Sequence, residues 1–387
     1  MNRLKFPKLS RLPVALLALV LLITGCTGAR IGVSWADLEL IEDRNILVSY
    51  NDFMVLIDPT NGVPVQLRGP DGQIRTDEQG NPRRWEISGG DTSSQFFTTP
   101  IWLSEERLLV VDYNRKLMHI NFPNARIENP AVSDLPGQVF ANMSQFDGRV
   151  FVPISEKNVV AIDTDTYETL WEFETDRGVW SEPVVADDLV VFTSIDQYMY
   201  AVDAFSGAER WRLDLGGAVA SAPLLVEDRL FIGSFARKLF EVSLTGQILN
   251  EYETENWVWS TPVLFEGLLY VTDMQGFVYA LDPENGLAEV WKTDTGDDSG
   301  IRPRPLVTEQ YVVVGTRAGQ VIWLDRQTGE VQFTQSVDAE ILSDILLVQP
   351  SESLNIPDPL VIISTVKNDK ILVAFTLDGA PRWTYGR

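Results

Sequence analysis

From residue 35 onward the chain is written in short apolar runs cut by polar turns. In the stretch 181–215, SEPVVADDLVVFTSIDQYMYAVDAFSGAERWRLDL, three such runs rich in Val, Phe, Tyr and Ile are separated by Asp-Asp, Asp-Gln and Ser-Gly. Brief β-branched and aromatic runs bounded by turn formers predict strands, not helices. A fourth run, ERWRLDL, alternates apolar with polar, as a strand with one face in water does.

The unit recurs. An apolar run, an Asp, a glycine turn and an aromatic stand at 200–211 (YAVDAFSGAERW), at 279–291 (YALDPENGLAEVW) and at 323–333 (WLDRQTGEVQF), with VLIDPTNG at 55–62. The Asp falls at Asp58, Asp163, Asp203, Asp282 and Asp325, and Asn121, Ser243 and Thr376 hold the same phase. Most intervals are about 40 residues, and the long ones contain insertions. A proline precedes most markers by about half a period: Pro100, Pro183, Pro223, Pro262 and Pro305, usually in S/T-x-P. Two landmarks on one period define eight units. Eight sets of four antiparallel strands predict an all-β chain folded as an eight-bladed β-propeller, because one such sheet cannot bury both its faces alone.

Within each unit the run before the Asp is the third strand, and Asp and glycine turn the chain into the fourth, glycine supplying the positive φ. The aromatics that follow are Trp85, Trp171, Trp211, Trp291 and Trp383, with Tyr252 and Phe333 as substitutes. On the outer strand such rings are expected to wedge between neighbouring blades and set their spacing.

The N-terminus is organised differently. Basic MNRLKFPKLSR precedes the apolar LPVALLALVLLI and then Thr24-Gly25-Cys26. This is a secretory layout, and the apolar run is short for a spanning helix. Ile23-Thr24-Gly25-Cys26 resembles the bacterial lipobox, whose cysteine is lipidated and becomes the first residue of the mature chain. The expected organisation is a lipoprotein signal peptide at 1–25, a lipid-anchored tether at 26–34 and the propeller at 35–387. An uncleaved anchor or an incidental cysteine is the alternative. Residues 27–34 span roughly 27 Å when stretched, and two or three acyl chains make anchoring stable. Cys26 is the only cysteine, which excludes an intramolecular disulfide and a cysteine-based metal site.

Charge narrows the partners. The formal net charge is −24; without the first 25 residues, which hold Arg3, Lys5, Lys8 and Arg11, 27 basic residues face 55 acidic ones, or −28. Such a body repels nucleic acid and anionic lipid as general partners.

The repeat resembles the PQQ-type propeller motif, roughly A-x-D-x-x-T-G-x-x-x-W. Ala201, Asp203, Gly207 and Trp211 fit it best, then Ala280, Asp282, Gly286 and Trp291. Unit three puts Glu168 where glycine is expected, and unit five lacks both Asp and Trp. The resemblance covers 35–387 and speaks for fold before function. Quinoprotein dehydrogenases share the repeat but carry a vicinal cysteine pair, a calcium site and a longer chain. The layout looks more like the BamB-type lipoproteins. That resemblance implies a monomeric, non-catalytic scaffold without a cofactor, bound to protein partners in the cell envelope during outer-membrane protein assembly. The anchor would then lie in the outer membrane, or on the outer face of the plasma membrane in a host with one membrane. The rival readings are a quinoprotein oxidoreductase binding PQQ and calcium, and a surface receptor for a small ligand.

Candidate chemistry is sparse. The single histidine, His119, lies in the strand-like KLMHIN, where a packed role is expected. No P-loop, G-x-S-x-G or G-x-G-x-x-G occurs. The acids at 294–298 and 163–165 lack the ligand series of an EF-hand and read as solvated turns. No catalytic residue and no metal site is assigned. One constellation follows from phasing the repeats. Three residues before the S/T-x-P proline stand Trp35, Phe97, Phe140, Trp180, Ala220, Trp259, Arg302 and Leu342, where the chain enters each innermost strand. These positions are expected to ring one mouth of the axial channel, with the aromatics offering area and Arg302 or Arg304 pairing an anion. The alternative is that the rings plug the channel or pack between blades. Insertions at 63–84 and 349–359 are further candidate contacts.

Overall fold

Each repeat folds as one four-stranded antiparallel meander, the strands running outward in sequence order. The computed structural model describes residues 36–41, 45–88, 95–352, 354 and 356–387. The signal segment, Cys26, the tether and Trp35 lie outside the described residues. The eight sheets occupy 37–88, 101–134, 144–174, 184–214, 224–253, 263–294, 306–336 and 346–385, and are called blades 1 to 8. In blade 1 the outer position is divided between Val63–Pro64 and Glu86–Ser88, both paired with Phe53–Asp58. The insertion between them runs out as a hairpin, bridged at Gln66/Arg84, Arg68/Ile74 and Thr76/Pro82. No helix among the described residues is long and apolar enough to cross a membrane.

The turn after the third strand is built by the marker Asp. Asp203 Oδ1 accepts from Phe205 N (3.1 Å) and Ser206 N (2.8 Å), and Gly207 then takes φ +69°. This side-chain turn inserts one residue, so the ladder shifts between Ala201 and Val202, and the same shift recurs in blades 3 to 8. In blade 4 the shift brings Trp211 opposite Ala201 on the outer strand, facing the next blade.

The outer-strand rings Trp171, Trp211, Trp291, Phe333 and Trp383 lie on the turn glycine of the following blade, whereas Trp85 meets blade 2, whose left-handed turn residue is Ala125. A Cβ on Gly207 would stand 2.7 Å from the Trp171 ring, one on Gly246 2.7 Å from Trp211, and one on Gly62 2.4 Å from Trp383. The indole N–H then donates to the carbonyl just after the neighbour's marker. Trp171 reaches Ala204 O (3.0 Å), Trp211 Leu244 O (2.8 Å), Trp291 Arg326 O (3.0 Å), Trp85 Phe122 O (2.6 Å) and Trp383 Pro59 O (2.8 Å). The last bond joins blade 8 to blade 1. Closure is by packing, since blade 1 takes all its strands from the N-terminal end of the ring. Eight apolar clusters sit between successive blades, and one joins blade 1 (Val48, Val55, Ile57) to blade 8 (Ile362, Leu372, Ala374).

Two positions differ from the sequence reading. Blade 5 places Asn250, opposite Glu241, at the docking position, whereas Tyr252 lies two residues further along the strand. Asn250 Oδ1 faces Gly286 in place of a ring. In blade 3 the left-handed turn residue is Tyr167 (φ +61°), not Glu168. The exchange is complementary. In blade 2 the sequence has Asn129, not a tryptophan, in register with His119, and the Tyr167 ring of blade 3 lies 4.7 Å from His119.

Candidate functional site

Every innermost strand runs from one end of the ring, the mouth end, to a hairpin at the other, the far end. The hairpins joining second and third strands return to the mouth end and fasten to the blade connections there. Ile195 N donates to Gly178 O (3.0 Å), Phe235 N to Ala218 O (2.9 Å), Met274 N to Trp257 O (2.9 Å) and Arg317 N to Gly300 O (3.0 Å). Two buried acids pin this end. Asp273 accepts from Asn256 N (2.9 Å) and the Tyr279 hydroxyl (2.8 Å), and Asp196 from Asp176 N (3.0 Å) and the Tyr200 hydroxyl (2.9 Å). Burial first, then the adjacent carboxylates, push both tyrosine hydroxyls well above their usual range. The mouth is therefore a rigid surface.

The phased residues meet there in three groups. Phe97, itself buried, packs edge-on to Phe140 (6.3 Å), and both touch Tyr113 (5.5 Å). Trp180 donates its indole N–H to Ser155 O (3.1 Å) and leaves a broad face in water. Trp259 lies between Phe235 (5.2 Å) and the Arg302 guanidinium (4.4 Å), while Phe235 stacks on Trp257 at 5.0 Å and 9°. Burial, and the like charge of Arg317, lower the Arg302 pKa to about 10. The rings bind their neighbours around the mouth more than they open onto a cavity. Trp257, Phe235 and Tyr113 escaped the sequence reading because they belong to the hairpins and to a neighbouring phase.

Arg304 belongs elsewhere. Its Nε pairs with Asp344 Oδ2 (3.0 Å) and its backbone N with Asp344 Oδ1 (2.8 Å). Two residues beyond each mouth position the eight blades place Asp37, Thr99, Asn142, Glu182, Ala222, Thr261, Arg304 and Asp344. Each stands where the chain enters an innermost strand, so the set faces the axis, and Glu182 of blade 4 comes within electrostatic reach of Asp37, Arg304 and Asp344 on blades across the ring. Neighbours are stitched around the circle. Thr99 N donates to both Asp37 Oδ2 (3.2 Å) and Asn142 Oδ1 (3.0 Å), and Thr261 Oγ1 to Ala222 O (3.0 Å). The signal was present in the sequence, because the central residue of S/T-x-P is the axial one.

Enclosure by the surrounding blades, then repulsion from Asp344, raises half-buried Asp37 to about 6; the same enclosure, then repulsion from Asp37, raises Glu182 to about 7, although the Glu182 side chain still meets solvent. The folded protein therefore holds protons that the unfolded chain releases. The contribution of these two groups to stability falls as pH rises from the unfolded carboxylate pKa, near 4, through about 7, and is level above that. Glu182→Gln removes one of these charges. Its gain in denaturation midpoint over wild type is expected to be small at pH 5 and to widen by pH 8. An equal gain at both pH values would contradict the axial placement. Comparing variant with wild type isolates this from buried His119, whose pKa is depressed by burial and by Arg107 and which acts in the opposite direction at low pH.

No group of three or more His, Cys, Asp or Glu side chains among the described residues is arranged to hold a metal ion. His119 is buried with Nδ1 2.6 Å from Arg107 Nη2. The 163–165 acids form a turn, Asp163 accepting from Asp165 N (2.9 Å) and Thr166 N (2.8 Å). In the 294–298 stretch, Asp297 accepts from Thr316 Oγ1 (2.6 Å). A cleft of about 860 Å³ opens at the far end between blades 7 and 8, lined by Glu309, Gln349, Asp358 and Arg382, remote from the mouth.

The chain matches the sequence profile of the family described as outer membrane protein assembly factor BamB over residues 85–256, 196–300 and 274–387. Two relatives bearing that same description are from Yersinia pestis, 23% identical across 50% of this chain and 65% of the relative, and Shewanella oneidensis, 26% identical across 52% and 55%. The chain thus spans somewhat more than half the length of these curated relatives. Among solved structures, that of BamB from Moraxella catarrhalis superposes with a TM-score of 0.60 at 14% identity, over 88% of this chain and 98% of that one. The computationally designed Ika8 protein superposes at 0.62, also at 14% identity, over 91% and 96%. At such identities the structural likeness establishes the propeller fold alone.

Proposed function

We propose, from the premise that the chain belongs to the family of outer membrane protein assembly factor BamB, that it is a non-catalytic scaffold binding protein partners during assembly in the cell envelope. The observation that carries this reading is the family match, whose three segments together run from residue 85 to 387, across blades 2 to 8. The geometry supports it. The mouth-end hairpins are pinned by buried hydrogen bonds, and the one histidine is buried against an arginine. Partners would find the rim, where Leu170, Leu249, Val290 and Val331 stand exposed on the outer strands of blades 3, 5, 6 and 7. Apolar side chains repeated along a rigid edge supply contact area at little entropic cost.

In this reading Cys26 is acylated, and a monomeric propeller is held at a membrane by the tether. Two acyl chains bind lipid far more tightly than one, so Cys26→Ser is expected to move the protein from the membrane to the soluble fraction. In-cell crosslinking from the rim, with introduced photoreactive residues at Leu170 and Val290 and mass spectrometry, tests the scaffold role. Recovery of outer-membrane assembly components supports it. Their absence from cells in which that machinery is intact, or quinone-dependent dye reduction by the purified protein, overturns it.

A further inference from the structure

Only two of the described tryptophans are largely open to solvent, Trp180 at 41% and Trp257 at 44% exposed, and both project from blade connections at the mouth end. The others touch neighbouring blades or lie in the core, as Trp171, Trp291 and Trp323 do. Indole rings prefer the zone between lipid tails and water, where an apolar body and a polar N–H are both accommodated. Phe235 stacks on Trp257 and is itself backed by Trp259 in a tilted contact, so the exposed ring rests on a packed support.

Covalent reach points the same way. The first described residue is Ala36, buried at the mouth end, where its carbonyl accepts from Ser364 Oγ (3.3 Å). Nine residues join it to Cys26, at most about 30 Å of chain. To set the far end on the bilayer, that chain would have to run from the axis to the rim, roughly 25 Å, and then down a flank at least as long as a six-residue strand, roughly 20 Å. It is too short.

Charge distinguishes the two ends. The far-end hairpins between first and second strands carry acid in blade after blade, Glu105, Asp147, Asp187, Glu227, Glu266 and Glu309, of which Asp147 and Glu266 are paired with Arg149 and Arg326. At the mouth end acids alternate with bases, among them Arg115, Lys157, Arg237, Arg317, Lys367 and Lys370. Headgroup phosphates therefore repel the far end more strongly.

From these three observations we propose that the mouth end lies against the phospholipid headgroup layer, with Trp180 and Trp257 seated in it, so that the rim and far end are left to protein partners. The proposal rests on acylation of Cys26. Once that sulfur is acylated the chain has no other thiol, and an introduced cysteine can be labelled alone. Full-length lipidated protein in phosphatidylethanolamine–phosphatidylglycerol nanodiscs is labelled with bimane at Gln275→Cys (mouth), Gln332→Cys (rim) or Glu309→Cys (far end), and quenched with headgroup-nitroxide lipid. Quenching several-fold stronger at Gln275 than at either other position is expected, and weaker at Gln275 in the Trp180→Ala, Trp257→Ala background. Equal quenching at the three positions, stronger quenching at the rim, or photocrosslinking of the mouth to protein instead of lipid in native membranes overturns the proposal. Retention of Cys26→Ser on membranes would instead refute the anchoring itself, a separate failure.

Discussion

Gly207→Val is expected to destabilise the propeller by about 2–5 kcal/mol, the larger share coming from one contact between blades. A Cβ at this position would stand 2.7 Å from Trp171 Cδ2 and 2.8 Å from Cγ, and the backbone holds φ +69°. The left-handed backbone alone costs a residue with a β-carbon about 1–2 kcal/mol. Forcing further methyl groups into a filled contact costs about 1–3 kcal/mol more. Trp171 cannot retreat cheaply, because its ring is stacked on Phe151 at 5.6 Å and its N–H is held by Ala204 O at 3.0 Å. Gly267→Val separates the two costs. Gly267 has φ +79° but meets nothing within 4 Å, so only the backbone share should appear there. Equilibrium urea denaturation of both variants provides the check. Equal losses would mean that the glycine serves its turn alone and that Trp171 does not set the spacing of blades 3 and 4.

Trp323→Ala is expected to cost about 3–5 kcal/mol, the range for deleting a buried aromatic ring. Trp323 is fully buried and among the largest such side chains, with its ring 5.0 Å from Phe333 and 5.8 Å from Phe375 of the next blade. The cavity would therefore open between blades 7 and 8. Its indole N–H has no hydrogen-bond partner among the described residues. Trp323→Phe should accordingly lose less than Trp171→Phe, since only the second gives up an inter-blade hydrogen bond worth about 1 kcal/mol. The reverse order in denaturation midpoints would show that ring volume alone governs the docking tryptophans.

The two variants probe positions of different legibility. Gly207 and Trp211 could be read directly, because a left-handed turn and a large ring at a fixed offset from Asp203 leave a periodic mark. Trp323 gave no such mark. It sits in a third strand where four of the eight blades carry alanine, and packing against Phe333 and Phe375 explains it. Tyr167 is similar. Its left-handed backbone answers the missing tryptophan of blade 2, an exchange between two units that reading either unit alone does not reveal.

Local chemistry in the sequence determined the strands, their count and phase, the turn glycines and the S/T-x-P positions, because each depends on residues a few places apart and returns on one period around the ring. The tertiary structure decided what the ring as a whole creates. Closure by packing of blade 8 on blade 1, the repulsion among Asp37, Glu182 and Asp344, the pairing of Arg304 with Asp344, and the exposure of Trp180 and Trp257 were not written in any single repeat. They depend on distances between residues as far apart as Asp37 and Asp344. Those distances exist only once the circle is closed, and a periodic sequence specifies each step around it without stating who meets across the middle.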